Sequence, residues 1–297
     1  MSLPETLVLG ATGRLGRVLQ QCWQASAGPV LWQARRKPAL IPKLAPALNW
    51  TLFDPLQDPD TLSGAMQGRS ALLCLAGVIP GRGADLHQNT TLAEAAIRAA
   101  EGTGARVLLA SSAAVYGDRA GLLSEDLPPQ PVSAYGHAKV RMEARSRALA
   151  RELGVELCVL RIGNIAGLDA ILGGWRPGFE LDVFGDGHSP RRSYIGVQSL
   201  ARVLAGVLAA PRLPDTLNIA APEVVEMGAL LDAAYLRWTP RPAPGSAIAE
   251  VRLDTRALQQ IAPVPAEQVD PVQMVAQWRV LEPYVNEETM TQETGRT

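Results

Sequence analysis

The first half of the chain alternates short, wholly apolar runs with longer segments whose apolar residues recur every three or four positions. Runs of the first kind are typical of buried parallel strands, and segments of the second kind are typical of amphipathic helices. The strands are predicted at 6–10, 29–34, 48–54, 70–77, 106–112 and 156–164, and the helices at 14–26, 60–68, 88–104 and 134–154. This alternation predicts an α/β fold with a doubly wound parallel sheet.

The pattern loosens in the second half, where residues 166–192 are rich in glycine, proline and aromatic residues and show no clear period. Regular elements return as a helix at 197–210, a strand at 215–221 and a helix at 226–238. We therefore expect a main domain, a small C-terminal cap that binds the substrate, and a disordered polar tail. The expected bounds are 1–165 with 191–221 returning for the main domain, 166–190 and 222–285 for the cap, and 286–297 for the tail.

Composition excludes several classes of protein. The 297 residues carry a formal net charge of −1, and the sequence shows no sustained basic face. We therefore expect no nucleic-acid partner. Neither a leader peptide nor an apolar run long enough to span a membrane is visible, which predicts a cytoplasmic protein without a membrane partner. The cysteines lack metal-like spacing and are expected to be reduced thiols, and the histidines are not spaced for a metal site either. These residues are Cys22, Cys74, Cys158, His87, His137 and His188.

Three glycines, Gly10, Gly13 and Gly16, lie between the first predicted strand and the first predicted helix. Glycines at this junction allow a tight turn, and they let the backbone approach a pyrophosphate that meets the positive end of the helix. The motif therefore predicts a dinucleotide site in a Rossmann sheet, although the same glycines could form a simple packing turn. The candidate cofactor-binding residues of this turn also include Thr12, Arg14 and Leu15.

The end of the second predicted strand indicates which dinucleotide binds. An acidic residue there usually binds the ribose 2′-hydroxyl of NAD. This chain instead has Ala34 followed by Arg35 and Arg36, which leaves room for a 2′-phosphate and offers it a bidentate partner. We expect NADP as the preferred cofactor, with NAD as the alternative. The other interpretation is that both arginines are solvated and do not bind a cofactor.

A proton-transfer group is predicted further along the chain. Ser112 ends the fifth predicted strand, and Tyr135 and Lys139 are four residues apart on one helix face. A lysine ammonium near the phenol lowers the pKa of the tyrosine, and the serine can hydrogen-bond the reacting oxygen. These three residues are the catalytic candidates.

The motifs "GATGRLG", "SSAAVYG" and "YGHAK", in this order, resemble those of the extended short-chain dehydrogenases/reductases, the NAD-dependent epimerase/dehydratase family. The resemblance covers about residues 6–260 and implies a hydride-transfer enzyme. It further implies that Asp54 and Leu56 lie near the adenine, that the fourth strand passes the cofactor, and that Asn89 supports the site. In nucleotide-sugar members, an asparagine and an arginine reach the substrate diphosphate. The matching positions here are Leu75, Ala76 and Gly77 for the fourth strand, and Asn164 and Arg192, together with Ser112, for the substrate.

Two departures from the family pattern change the expectation. Ala113 and Ala114 stand where dehydratases of the family carry an acidic pair, so we expect no dehydratase activity. Gln198 and Ser199 replace the family's aspartate before a helix, and Ser199 could cap that helix instead.

The sequence therefore predicts an NAD(P)-dependent oxidoreductase or epimerase that acts on a secondary alcohol or ketone of a sugar or nucleotide-sugar-like substrate. A reductase of a non-sugar carbonyl (a lactone, a flavonoid-like ketone or a lipid ketone) is the alternative, followed by a non-catalytic regulator that senses NADP(H). By family likeness, a homodimer is possible through the helices at 88–102 and 134–152. The expected partner is otherwise a small-molecule substrate.

Overall fold

The computed structural model describes residues 3–24, 29–36, 48–81 and 83–285, and these form two compact units. The first unit comprises the described residues up to 117 together with 128–162 and 204–217. The second unit comprises 118–127, 163–203 and the described residues from 218 onward. The predicted tail at 286–297 lies outside the described residues.

The first unit contains a seven-stranded parallel sheet in the order β11-β7-β5-β4-β1-β2-β3. The chain runs outward from β1 to β3 and then returns to β4 on the other side of β1, which makes the sheet doubly wound, so the predicted fold class is confirmed. All residues of β1 and β4 are buried, as their predominantly apolar sequences predict. The strands are β1 (Thr6–Leu9), β2 (Val30–Ala34), β3 (Asn49–Leu52), β4 (Ala71–Cys74), β5 (Arg106–Ser112), β7 (Leu157–Ile162) and β11 (Thr216–Ile219).

The helices of the first half follow the predicted order. Leu62 and Met66 of α2 and Ala93 and Ile97 of α3 are buried in a core that also includes β1, β4 and β5, because their apolar residues recur at helical spacing. These helices are α1 (Arg14–Cys22), α2 (Pro59–Met66), α3 (Gln88–Ala100) and α4 (Ala134–Leu153), and α5 (Val197–Ala209) follows in the second half of the chain.

The second unit contains strands that the sequence pattern did not predict. Its main sheet has the order β12-β10-β14-β6, with β8 paired to β10, and β9 pairs with β13 in a separate two-stranded sheet. The strands are β6 (Leu122–Leu123), β8 (Asn164–Ile165), β9 (Glu180–Val183), β10 (Arg191–Ile195), β12 (Val224–Glu226), β13 (Thr239–Pro242) and β14 (Glu250–Leu253). The helices are α6 (Met227–Ala233), α7 (Arg256–Ile261) and α8 (Pro271–Val285).

The boundary between the units differs from the expected domain bounds. The strand at 191–195 was expected with the main domain, but β10 pairs with β8, β12 and β14 of the second unit. The segment 118–127 joins the second unit in the same way, because β6 pairs with β14. Both assignments depend on strand pairs that are distant in sequence, which local periodicity does not reveal.

Two helix ends in the second unit also differ from expectation. The helix predicted to reach residue 238 ends at Ala233, and Tyr235 then adopts a left-handed backbone with φ of 56°. Ser199 does not cap α5; instead Gln277 Oε1 accepts from the backbone N–H groups of Gln198 and Ser199 at 3.1 and 3.0 Å. A distant side chain thus supplies the cap.

Among the described residues, no helix is both long and apolar enough to cross a membrane.

Candidate active site

The glycine turn after β1 has the geometry that the motif predicts. Gly10 has φ of +80°, and a Cβ atom there would lie 2.6 Å from the backbone nitrogen of Ala76. Gly13 precedes the first residue of α1 and offers no side-chain cap, and no acidic residue lies in the first turn. The positive end of α1 therefore faces this turn without a capping carboxylate. Thr12 and Arg14 are exposed there, and Leu15 is half-buried.

A buried glutamine that the sequence analysis missed fixes the turn to the second strand. Gln33 is 3% exposed. Its Oε1 accepts from the Gly10 N–H at 3.2 Å, and its Nε2 donates to the Phe53 carbonyl at 2.7 Å. The side chain thus joins the ends of β1, β2 and β3. Beyond it, Arg35 and Arg36 are both exposed where β2 ends.

Asp54 and Leu56, which are expected near the adenine of the cofactor, lie in a turn after β3. Asp54 is half-buried, and its Oδ1 accepts from the Leu56 N–H at 2.9 Å. Its own N–H donates to Asp58 Oδ2 at 2.9 Å. The carboxyl group of Asp54 thus orders its own loop, while Leu56 is 37% exposed.

The loop after β4 is fastened by Asn89, which is 1% exposed. Its Nδ2 donates to the carbonyls of Val78 and Leu86 at 2.9 and 3.1 Å, and its Oδ1 accepts from the Val78 N–H at 3.2 Å. A Cβ atom on Gly77 would lie 2.8 Å from that Oδ1. Asn89 therefore holds the loop that contains Leu75, Ala76 and Gly77, instead of capping its own helix.

Ser112 begins a 3-10 turn, Ala113–Tyr116, at the end of β5. Its Oγ accepts from the Ala114 N–H at 3.2 Å, so its own O–H remains a donor. The N-terminus of α4 packs closely against this turn, since a Cβ atom on Gly136 would lie 2.5 Å from the Ala114 carbonyl oxygen. Ser133 caps α4 by accepting from the Gly136 N–H at 3.0 Å. Glycine at position 136 is thus what brings Tyr135 to the serine.

The three catalytic candidates meet in the first unit. Tyr135 forms a side-chain hydrogen bond with Ser112, and the Lys139 ammonium lies 5.7 Å from the centre of the Tyr135 ring. Burial raises the pKa of Tyr135 above its usual 10.0, and the hydrogen bond with Ser112 opposes this rise. In the protein alone the pKa of Tyr135 is therefore raised, whereas the sequence analysis expected Lys139 to lower it.

Lys139 is almost completely buried, with 5% of its surface exposed. Its Nζ donates to the Ala110 carbonyl at 3.0 Å and contacts Met142 Sδ at 3.8 Å. Burial lowers the pKa of Lys139 to about 8, while electrostatic interactions with Cys74 and Glu143 act in the opposite direction. The lysine can therefore change its protonation state near neutral pH.

A buried ionic cluster under the site was not predicted. Glu143 and Arg161 are 3% and 4% exposed, and Arg161 donates from Nε and Nη2 to the Glu143 carboxylate at 2.9–3.3 Å. Ser111 donates to Glu143 Oε1 at 2.6 Å, and Arg161 Nη1 donates to the Tyr116 hydroxyl at 3.0 Å. The only sequence signal was the position of Glu143, eight residues after Tyr135 and four after Lys139 on the same helix face.

The expected diphosphate ligands lie in the second unit. Asn164 forms a side-chain hydrogen bond with Tyr194, its partner across β8 and β10. The guanidinium of Arg192 donates to three backbone carbonyls, those of Arg191, Ile248 and Ala249, at 2.8, 2.8 and 3.3 Å. Burial lowers the pKa of Arg192. Arg192 is thus engaged with its own sheet.

No group of three or more metal-ligating side chains is found within the part of the chain that the structure describes. His137, between Tyr135 and Lys139 in sequence, is exposed. The three cysteines are free; Cys74 and Cys158 are buried and Cys22 is half-buried.

Comparison with models of protein families matches residues 6–220 to the NAD dependent epimerase/dehydratase family. Comparison with curated proteins finds no match.

Solved structures with the same fold include several proteins whose sequences are at most 23% identical to this chain. MoeE5 in complex with UDP-glucuronic acid and NAD has 22% identity and a TM-score of 0.72, over 93% of this chain and 99% of that chain. UDP-N-acetylglucosamine 4-epimerase from Methanobrevibacter ruminantium M1, in complex with UDP-N-acetylmuramic acid, has 18% identity and a TM-score of 0.74, over 95% and 100%. TunA, an NAD dependent NDP-hexosamine 5,6-dehydratase, has 20% identity and a TM-score of 0.73, over 93% and 98%. At this identity the likeness concerns the fold alone.

Proposed function

Because the chain belongs to the NAD dependent epimerase/dehydratase family, we propose that it transfers a hydride at a secondary alcohol or ketone of a sugar or nucleotide-sugar-like substrate. Tyr135 exchanges a proton with the substrate oxygen, and Ser112 orients that oxygen as its charge changes. Lys139 holds the cofactor ribose and favours the tyrosinate. Both a net reductase and an epimerase can use these residues.

The hydrogen bond between Ser112 and Tyr135, with Lys139 buried beside the ring, is the observation that carries this proposal. A buried lysine next to a tyrosine, with a serine donor at the phenol oxygen, is a group of titratable residues with a specific use in proton transfer. A regulator that only senses the cofactor has no need of this arrangement.

The glycine turn fits a dinucleotide. The close approach of Gly10 to the Ala76 backbone and the positive end of α1 provide a surface suited to a pyrophosphate. When bound, the nicotinamide group accepts or supplies the hydride. The residues proposed to hold the dinucleotide are Gly10, Thr12, Gly13, Arg14, Leu15, Gly16, Asp54, Leu56, Leu75, Ala76, Gly77, Asn89, Tyr135 and Lys139.

We further propose a preference for NADP over NAD. Arg35 and Arg36 follow β2, both are exposed, and Ala34 before them is small, so a 2′-phosphate can be accommodated and paired. The double variant R35A/R36A should weaken NADP⁺ binding by tenfold or more while changing NAD⁺ binding little, as measured by isothermal titration calorimetry. Equal losses for the two cofactors would refute the assignment.

Dehydration is not part of the proposed activity. Ala113 and Ala114 occupy the 3-10 turn directly after Ser112, where a dehydratase needs acidic side chains to add and remove protons. An assay for the elimination of water from a nucleotide sugar should therefore give no product. Formation of an unsaturated or deoxy sugar would contradict this part of the proposal.

A reductase of a non-sugar carbonyl is the second candidate, and one observation favours it. The guanidinium of Arg192 already donates to three backbone carbonyls, so it has less capacity to bind a diphosphate than the family pattern implies. Asn164 supports the first candidate, because its amide has two N–H donors and its side-chain hydrogen bond with Tyr194 does not use both of them, so a phosphate oxygen can accept from the amide.

The role of Tyr135 is tested by Y135F, with Y235F as the matched control because Tyr235 is 87% exposed in the second unit. Y135F should lose turnover and keep cofactor binding, and Y235F should behave as the wild type. Loss of cofactor binding together with turnover in Y135F would show that the tyrosine is structural.

The substrate class is tested by thermal shift of the cofactor-loaded protein against UDP-, dTDP- and GDP-sugars, free sugars, uronates and simple ketones. A ligand at 100 times its Kd should add roughly 2.7 kcal/mol of stability. Stabilisation by a nucleotide sugar that N164A abolishes would support the first candidate. A response only to small carbonyls would support the second.

A further inference from the structure

The cluster around Glu143 joins the backbone segments that carry the catalytic candidates. Ser111, which donates to Glu143, is directly before Ser112 in β5. Arg161 in β7 bonds Glu143 and also donates to the hydroxyl of Tyr116, the last residue of the turn that Ser112 begins. The Arg161 guanidinium lies 4.9 Å from the centre of the Tyr116 ring. The turn is thus held at both ends.

A buried ion pair is a poor source of net stability. Removing two charges from water costs several kcal/mol per ion, and well-packed apolar residues often serve as well. The Glu143 carboxylate nevertheless accepts from Ser111, Arg147 and Arg161, at 2.6–3.3 Å. These donors fix the carboxylate of Glu143 in position, which is useful if its charge acts on another group.

Lys139 is the group on which that charge acts. Glu143 is one helical turn after Lys139 on the same face of α4, and the two groups that Lys139 Nζ contacts directly, the Ala110 carbonyl and Met142 Sδ, are uncharged. Cys74 on β4 is the other titratable group that interacts with the lysine, and its thiolate, when formed, raises the lysine pKa. Because burial raises the pKa of Cys74 to about 11, its thiol is protonated near neutral pH and supplies no charge.

We propose that Glu143 is a positioning residue: held by Arg161 and Ser111, it keeps Lys139 protonated beside Tyr135 and fixes the turn that carries Ser112. This inference rests on the proposed roles of those three residues. Without the carboxylate of Glu143, nothing on α4 opposes the lowering of the Lys139 pKa by burial. The lysine then loses its proton at a lower pH, and with it the charge that favours the tyrosinate.

The chain contains only three lysines, at positions 37, 43 and 139, so the ionisation of Lys139 can be followed directly. Protein labelled with ¹³C and ¹⁵N in lysine is titrated by NMR, and the Lys139 signal is assigned by its loss in K139M. In E143Q the titration midpoint of Lys139 should fall by about one pH unit or more. In E143D, which keeps the charge, it should return toward the wild-type value.

The matched control is E152Q, which removes an exposed carboxylate from the same helix and should leave the midpoint unchanged. If E143Q fails to fold, R161Q is compared with the double variant E143Q/R161Q, because these two proteins differ only in the carboxylate of Glu143; the midpoint should be lower in the double variant. An unchanged midpoint in folded E143Q, or equal midpoints in R161Q and E143Q/R161Q, would overturn the proposal.

A second readout addresses the turn. Y116F removes the hydrogen bond from Arg161 Nη1 but keeps the ring and the charge of Glu143. It should leave the Lys139 midpoint unchanged and weaken the Ser112–Tyr135 contact, seen as a change in the phenolate titration of Tyr135, which is obtained as the absorbance difference between wild type and Y135F and between Y116F and Y116F/Y135F. No change in that titration would refute the part of the proposal that concerns the turn. Neither readout needs a substrate, so the outcome is independent of the Y135F turnover test.

Discussion

Asn89 offers a direct test of how the loop after β4 is held. Its side chain makes three hydrogen bonds, two to the backbone of Val78 and one to the Leu86 carbonyl, and it is 1% exposed. A typical hydrogen bond contributes about 0.5–1.5 kcal/mol net, and a buried partner left unpaired costs more. Replacing Asn89 with alanine should therefore lower the free energy of unfolding by roughly 2–4 kcal/mol.

The effect on the cofactor follows from the same contacts. A Cβ atom on Gly77 would lie only 2.8 Å from Asn89 Oδ1, which shows how closely the amide packs against the loop. The amide therefore directly supports the loop that is proposed to pass the cofactor. N89A should thus weaken dinucleotide binding as well as stability. The assays are urea unfolding followed by circular dichroism, and calorimetric titration with NAD⁺ and NADP⁺.

The matched control is T91A in the same helix, which loses only one hydrogen bond, to the Gln88 carbonyl, at an exposed position. We expect a change within about 0.5 kcal/mol and unaltered cofactor binding. A loss below about 0.5 kcal/mol in N89A, with cofactor affinity retained, would show that the loop does not depend on this side chain and would refute the reasoning.

Three further predictions follow from backbone geometry and burial. G10A should fold less stably and bind the dinucleotide poorly, because its φ of +80° and its close backbone neighbours exclude a Cβ atom, whereas G64A, with open space in α2, should gain about 0.5–1 kcal/mol in urea unfolding. The pKa of Lys139 falls from 10.5 to about 8 on folding, so the unfolded state binds more protons than the folded state between these pH values. The free energy of unfolding of the wild type should therefore rise by about 3 kcal/mol from pH 8 to 10.5 relative to that of K139M. Parallel curves of stability against pH for the two proteins would contradict the burial of this lysine. Burial raises the pKa of Cys74 to about 11, so iodoacetamide at pH 8 should alkylate the half-buried Cys22 well before Cys74, and mass spectrometry showing the reverse order would refute this.

Local sequence patterns determined most of the first unit. The wholly apolar runs became β1 and β4, and the helical spacing of apolar residues placed α1 to α4. This works because burial on both faces of a parallel sheet, or on one face of a helix, requires a periodicity that is visible within a few residues. The glycine turn and the i, i+4 spacing of Tyr135 and Lys139 are local in the same sense.

The tertiary structure alone decided how these parts are fixed to one another. Gln33 joins three strand ends, Gly136 admits the close approach of α4, and Glu143 and Arg161 meet from a helix and a strand 18 residues apart in sequence. Apart from the helical spacing of Glu143 from Lys139, nothing in the neighbouring sequence marks these buried polar side chains, because their partners are remote.

The strands of the second unit escaped prediction for the same reason. β10 begins with two arginines and lacks an apolar alternation, yet it is a strand because β8, β12 and β14 pair with it. β14 begins 55 residues after β10 ends. Backbone hydrogen bonds between distant segments stabilise such a strand whatever the pattern of apolar residues in its own sequence. Periodicity therefore determines where an amphipathic element lies, and long-range pairing determines the strands that are neither apolar nor alternating.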